Sequence, residues 1–165
     1  MDKQDIPITP AVRFLREKKI AFQPHFYPYE DHGGTRVASA KLQVPEHAII
    51  KTLVMASESG QPFLVLEHGD NQVSTKQLAR ILGVKKINPC DEGTAQKHTG
   101  YQVGGISPFG TKKKMSVYAE KSIFSLGKMY INGGKRGFLV EISPADLIRA
   151  LPVIEIEAAQ QSADY

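Results

Sequence analysis

Two apolar, β-branched stretches in the middle of the chain, Ile49 to Ala56 and Phe63 to Glu67, constrain the fold most. They flank Ser57-Glu58-Ser59-Gly60-Gln61-Pro62, a stretch of turn-forming composition. Runs of this length around such a loop read as an antiparallel hairpin. One charge, Lys51, interrupts the first run. A strand buried on either face seldom keeps a lysine. Lys51 is therefore either the solvent-facing member of an alternating strand or a functional cation.

The other segments are short and punctuated. Thr9-Pro10 suits a helix start, with Thr as cap and Pro in the first turn. Ala21 to Tyr27 reads as a strand, Pro28 to Gly34 as a loop, and Thr35 as the cap of a short helix through Leu42. Ser74 caps Thr75 to Leu82, and Gly83 ends that helix. Val84 to Asn88 is a short strand, Asp91 to His98 a helical piece closed by Gly100, and Met115 to Ala119 a further strand. Phe138 to Ile142 alternates as a strand, and Ser143-Pro144-Ala145-Asp146 opens a last helix. Strands and helices are mixed without regular βαβ alternation. That predicts a mixed α/β fold, a compact sheet or partial barrel with peripheral helices. Residues 1–165 are expected to form a single domain, with a polar, frayed tail from about residue 155.

Composition narrows the function classes. Hydrophobic content of 41% and charged content of 23% are ordinary for a globular protein. The apolar runs are too short to span a membrane, and Met1 to Asp5 lacks the apolar core of a signal peptide. The single cysteine, Cys90, excludes an intrachain disulfide and fits a reducing cytoplasm. Five scattered histidines without helical pair spacing argue against a zinc site. Asp31-His32 reads as a solvated loop pair and Cys90 as a small buried residue. A net charge of +4 permits a polyanionic partner without requiring one.

The chemistry is concentrated in Gly104-Gly105-Ile106-Ser107-Pro108-Phe109-Gly110. Paired glycines let a backbone approach a ligand closely. Such a loop can present fixed N–H groups to an anion or a developing oxyanion. Ser107 has no histidine with a claim on it and reads as a hydrogen-bond donor, not a nucleophile. A second pair, Gly133-Gly134, lies further on. Lys112, Lys113, Lys114, Lys135 and Arg136 flank the two glycine segments, a placement compatible with phosphate binding as well as with ordinary solvated charge.

Three segments together resemble the YbaK/ProX family of prolyl-tRNA-editing-type aminoacyl-tRNA deacylases. They are Ile50-Lys51-Thr52-Leu53, Thr99 to Gly110, and Gly133-Gly134-Lys135-Arg136-Gly137. The resemblance covers nearly the whole chain and is nearest to free-standing Cys-tRNA(Pro) deacylases. It implies a YbaK-type fold, a mixed and mainly antiparallel barrel-like sheet with helices around it. It implies a cytoplasmic, trans-acting hydrolase that cleaves the ester of a mischarged tRNA, without metal, cofactor or protein nucleophile. The family's essential lysine falls on Lys51, its Gly-Ile-Ser-Pro loop on Gly105 to Pro108, and an aromatic at the pocket mouth on Tyr27. With Gly104, Gly105 and Ile106 as oxyanion donors, Lys51 would bind the terminal phosphate or ribose. The cysteine substrate's own thiol would attack, or in other branches a water. Ser107, Pro108, Asn132, Gly133 and Gly134 would contact substrate, and the five basic residues the tRNA. Prolyl-tRNA synthetase is an implied partner.

Three departures qualify this. Cysteine-specific relatives carry a serine where this chain has Asn132, and an aspartate where it has Leu139. The segment between Tyr27 and Lys51 is shorter and lacks an aromatic near Gly34. A deacylase for alanine or serine, or a module that binds tRNA acceptor ends or a synthetase without catalysis, stands as the alternative.

Overall fold

The computed structural model describes residues 5–161. In chain order the elements are α1 (Pro10–Glu17), β1 (Gln23–Phe26), α2 (Gly34–Leu42), β2 (Ile49–Ser57), β3 (Pro62–His68), β4 (Asn71–Val73), α3 (Thr75–Leu82) and β5 (Ile87–Pro89). Then follow α4 (Glu92–Thr99), β6 (Val117–Glu120), β7 (Met129–Lys135), β8 (Phe138–Ile142), α5 (Pro144–Ala150), β9 (Val153–Ile156) and β10 (Ala159–Gln161).

The central hairpin forms as expected, β2 against β3 in antiparallel register from Ile50↔His68 to Ala56↔Pro62. It is the middle of a mixed sheet ordered β1-β8-β7-β2-β3-β6-β9, with β5 also pairing β2. The β1–β8, β8–β7, β2–β3 and β2–β5 pairs are antiparallel, and β2–β7, β3–β6 and β6–β9 are parallel. Every residue of β3 is buried because both faces are covered. Leu64 and Leu66 join Leu15, Phe109 and Ile131 in the main core, while Phe63 and Val65 pack with Leu78 and Ala79 of α3. A strand covered on both sides reads as a continuous apolar run, not an alternating one.

Helix ends follow local chemistry. The Thr9 hydroxyl accepts from the Val12 N–H at 3.1 Å, which caps α1. Ser74 does the same for Gln77, and Gly83 closes α3 in the left-handed region at φ 68°. At α5, Ser143 and Asp146 cap each other reciprocally. Thr35 departs from expectation. α2 begins two residues earlier, at Gly34 with Gly33 in the cap position, and the Thr35 hydroxyl donates to Glu46 Oε2 at 2.7 Å, tying the helix to the turn before β2.

The end of the chain also departs from expectation. Residues 153–161 are paired, not frayed: β9 extends the sheet beside β6, and β10 pairs β4. Ile156 and Ala158 are buried. The Ala158 N–H donates to Glu120 Oε1, and its carbonyl accepts from Ser74. The rest of the tail, residues 162–165, lies outside the described residues.

Candidate functional site

β2 is shared unevenly along one edge. Its first residues run parallel to β7, ending at Ile50↔Ile131, and its last run antiparallel to β5, starting at Met55↔Pro89. Between them, Lys51 to Val54 have no strand beside them on that edge. A cavity of about 650 Å³ opens in the gap, with Ile49 to Met55 as one wall. Its size is ordinary for a small-molecule site. Tyr27, Gly104, Ile106, Asn132 and Arg136 also line it.

The ladder fixes which backbone groups face the gap. The Ile49 carbonyl accepts from Gly69 on the β3 side, whereas the Val54 carbonyl accepts from Cys90 on the other. Alternate residues of a strand direct their N–H and C=O to opposite edges. The N–H and C=O of Thr52 therefore face the opening. The Thr52 hydroxyl is buried without a partner among the described residues. No side-chain pattern in the sequence marks Thr52, because what it offers here is main chain.

Lys51 is half-buried, and its ammonium donates to the Asn71 carbonyl and, at 3.5 Å, to the Gly69 carbonyl. Burial lowers its pKa, opposed by the negative charge of Glu67, then Glu46 and Asp70. Lys51 lines the same cavity as Gly104 and Ile106, while its ammonium is held by the Gly69 and Asn71 carbonyls, which do not line it.

The glycine loop offers fewer donors than its sequence suggests. The Gly105 N–H donates to the Gln102 carbonyl at 2.9 Å, and Gly105 is buried against the backbone of Lys135 and Arg136. It is removed from the expected oxyanion donors because its hydrogen is already bonded. The N–H groups of Gly104 and Ile106 have no protein partner among the described residues. Gly104 takes φ +93° with the Tyr29 hydroxyl packed where a side chain would stand, so only glycine fits.

Other expected contacts also shift. Ser107 is fully buried and its hydroxyl accepts from the Phe109 N–H at 3.2 Å; Pro108 is buried beside it. Gly133 packs against the Phe138 ring and Gly134 against Tyr101. None of these four lines the cavity; they shape the two loops from behind. Asn132 lines it, with its amide donating to the Gly104 carbonyl at 3.2 Å and its oxygen accepting from Gly134 and Lys135. Tyr27 is half-buried on the wall, its pKa raised by burial and then by Tyr29.

Arg136 reaches Val103, donating from Nε to its carbonyl at 2.9 Å, and stacks 5.1 Å over the Tyr29 ring. Lys112, Lys113, Lys114 and Lys135 are exposed and outside the cavity. The backbone of Lys112 and Lys113 is pinned to the end of α4 through Thr99 and His98. The Asp31-His32 pair is exposed, as expected, and sits on the cavity rim. Cys90 is only partly buried and lines the cavity, which corrects its reading as a core residue. Burial, and then Asp91, raise its thiol pKa. Among the described residues no cluster of three His, Cys, Asp or Glu could hold a metal, and no helix is long and apolar enough to cross a membrane.

Residues 33–150 match the model of the aminoacyl-tRNA editing domain. EbsC of Enterococcus faecalis, by name a Cys-tRNA(Pro)/Cys-tRNA(Cys) deacylase, is 27% identical over 85% of this chain and 86% of its own length. The proline–tRNA ligase of Brachyspira hyodysenteriae is 35% identical over 52% of this chain, a stretch equal to 15% of the ligase. A crystal structure described as a trans-editing enzyme for prolyl tRNA synthetase superposes with a TM-score of 0.80 at 18% identity. That match covers 93% of this chain and 99% of the other, and supports the fold alone.

Proposed function

Because the chain belongs to the aminoacyl-tRNA editing domain family, we propose that it is a trans-acting deacylase. It hydrolyses the ester between a mischarged amino acid and the terminal ribose of tRNA, with Cys-tRNA(Pro) as substrate. One observation carries the reading: Lys51, a half-buried cation, lines the same cavity as Gly104 and Ile106, whose N–H groups have no protein partner among the described residues. Attack on the ester carbonyl builds charge on its oxygen. The N–H groups of Gly104 and Ile106 would receive that charge, and donors of this kind are typically worth about 3–4 kcal/mol. Lys51 would bind the terminal ribose or phosphate and hold the ester against the loop.

With cysteine as the amino acid, its own sulfur supplies the nucleophile. The thiolate forms a bond to the carbonyl carbon, the ester C–O bond breaks, and the ribose oxygen leaves and takes up a proton. Water then opens the resulting thioester. A free thiol has a pKa near ~8.5, so the Lys51 cation would raise the reactive fraction. The exposed Lys112, Lys113, Lys114 and Lys135 would follow the tRNA backbone, with prolyl-tRNA synthetase as a partner in delivery and the cytoplasm as the place of action.

Leu139 favours a second reading. It is buried and apolar on the cavity wall, which suits alanine as the edited amino acid, or acceptor-end binding without catalysis. Side-by-side deacylation of Cys-, Ala-, Ser- and Pro-charged tRNA decides between these. Cys-tRNA(Pro) is expected to be lost fastest, and Lys51→Ala to bring the rate to background with the fold intact. Full turnover by Lys51→Ala removes the lysine from the mechanism; tight binding without faster ester loss supports the binding module.

A further inference from the structure

The Gly104–Gly105 peptide is held at both ends. Its carbonyl accepts from the Asn132 amide at 3.2 Å, and its N–H donates to the Gln102 carbonyl at 2.9 Å. Asn132 is itself fixed, because its oxygen accepts from Gly134 at 2.7 Å and Lys135 at 3.1 Å. That leaves one amide hydrogen directed at the loop. Asn132 stands where the β7–β8 register shifts, at the start of a break in the ladder. Arg136 adds a parallel tie to Val103 at 2.9 Å.

A peptide between two glycines needs such holding. Glycine populates both signs of φ with little cost, so this peptide plane can turn over more readily than any other in the loop. A rotation at ψ of Gly104 that φ of Gly105 does not cancel, or the reverse, would also swing the neighbouring planes, which carry the N–H groups of Gly104 and Ile106. We infer that Asn132 is a positioning residue that locks the Gly104–Gly105 peptide and thereby aims the Gly104 and Ile106 N–H groups into the cavity. This rests on the deacylase reading for its effect on rate, but not for its effect on the loop. It also assigns Asn132 a role besides direct substrate contact, since its oxygen is taken by Gly134 and Lys135 and one of its two amide hydrogens by Gly104.

Asn132→Asp tests this cleanly. The carboxylate still accepts from Gly134 and Lys135 but cannot donate to Gly104. Asn132→Ala removes both functions, and thermal melting shows whether each variant folds. The first readout is amide hydrogen exchange in the substrate-free protein. The Gly105 N–H is expected to lose protection in both variants while core amides such as Leu66 keep theirs. The second readout is steady-state deacylation. Loss of aim is expected to lower kcat by about a hundredfold with KM changed less than about twofold. Unchanged Gly105 protection in both variants overturns the lock whatever the activity. A rise in KM at constant kcat also overturns it, in favour of direct substrate contact. If the wild-type protein shows no deacylation, the functional reading fails, and the exchange experiment still decides the lock.

Discussion

Glu67 has one carboxyl oxygen with nowhere to go. Oε1 accepts from the His68 N–H at 2.9 Å, but Oε2 is buried without a partner among the described residues. Burial pushes its pKa up to about 7, and the nearby Glu120 carboxyl adds to the rise. A carboxyl with a raised folded-state pKa favours its neutral form in the native protein. Between its ordinary value of 4.5 and about 7 the native state therefore binds more protons than the unfolded one, and stability falls as pH climbs through that window. The effect is at most about 3 kcal/mol. Urea unfolding at pH 5 and pH 8 should show this loss in the wild type. Glu67→Gln, neutral throughout, should flatten it.

Residue chemistry also explains which site groups were legible. Lys51 stands out in sequence as a charge in an apolar run. Ser107 and Pro108 carry the same composition as an exposed binding loop, yet fold inward, because composition does not report which side of a loop faces the core. Thr52 falls within the Ile50-Lys51-Thr52-Leu53 segment, but its side chain does not announce this role, since any residue supplies the same backbone groups.

Among the elements, those closed by local chemistry were predictable. Thr9, Ser74 and Ser143 cap their helices, and Gly83 and Gly100 end theirs, through bonds spanning only a few residues. β4, β9 and β10 were not predicted: β4 and β10 are short and polar, β9 is only four residues long, and all three owe their existence to partners far along the chain. The glycine segment depends on the second loop in the same long-range way. A Cβ on Gly105 would stand 2.9 Å from the Arg136 nitrogen and 3.1 Å from the Lys135 carbonyl carbon, both backbone atoms that cannot swing aside. Gly105→Ala should push the two loops apart. Deacylation is expected to drop at least about tenfold while far-ultraviolet circular dichroism is unchanged.

Across the whole molecule, β10 reaches Lys51 indirectly. β10 pairs β4, whose Asn71 carbonyl accepts from Lys51, and Ala158 bonds both Glu120 and Ser74. Truncation after Glu157 should therefore lower Tm and weaken deacylation, although no cavity-lining residue is removed. Full activity in the truncated protein would show that Lys51 needs no such support. The basic face belongs to the same scale. Replacing Lys112, Lys113 and Lys114 with alanine should weaken tRNA binding equally for every acylated species and shrink the salt slope of log K by about 1–2. Equal slopes for variant and wild type would place the tRNA elsewhere.

The interruption beside β2 has an evolutionary corollary. The hollow exists because two neighbouring strands stop short, and its floor is made of peptide groups that every amino acid possesses. Mutation can redecorate the walls at Leu139 or Cys90 without erasing the hollow itself. Changes in the preferred aminoacyl group can thus accumulate on an unchanged scaffold, one wall residue at a time.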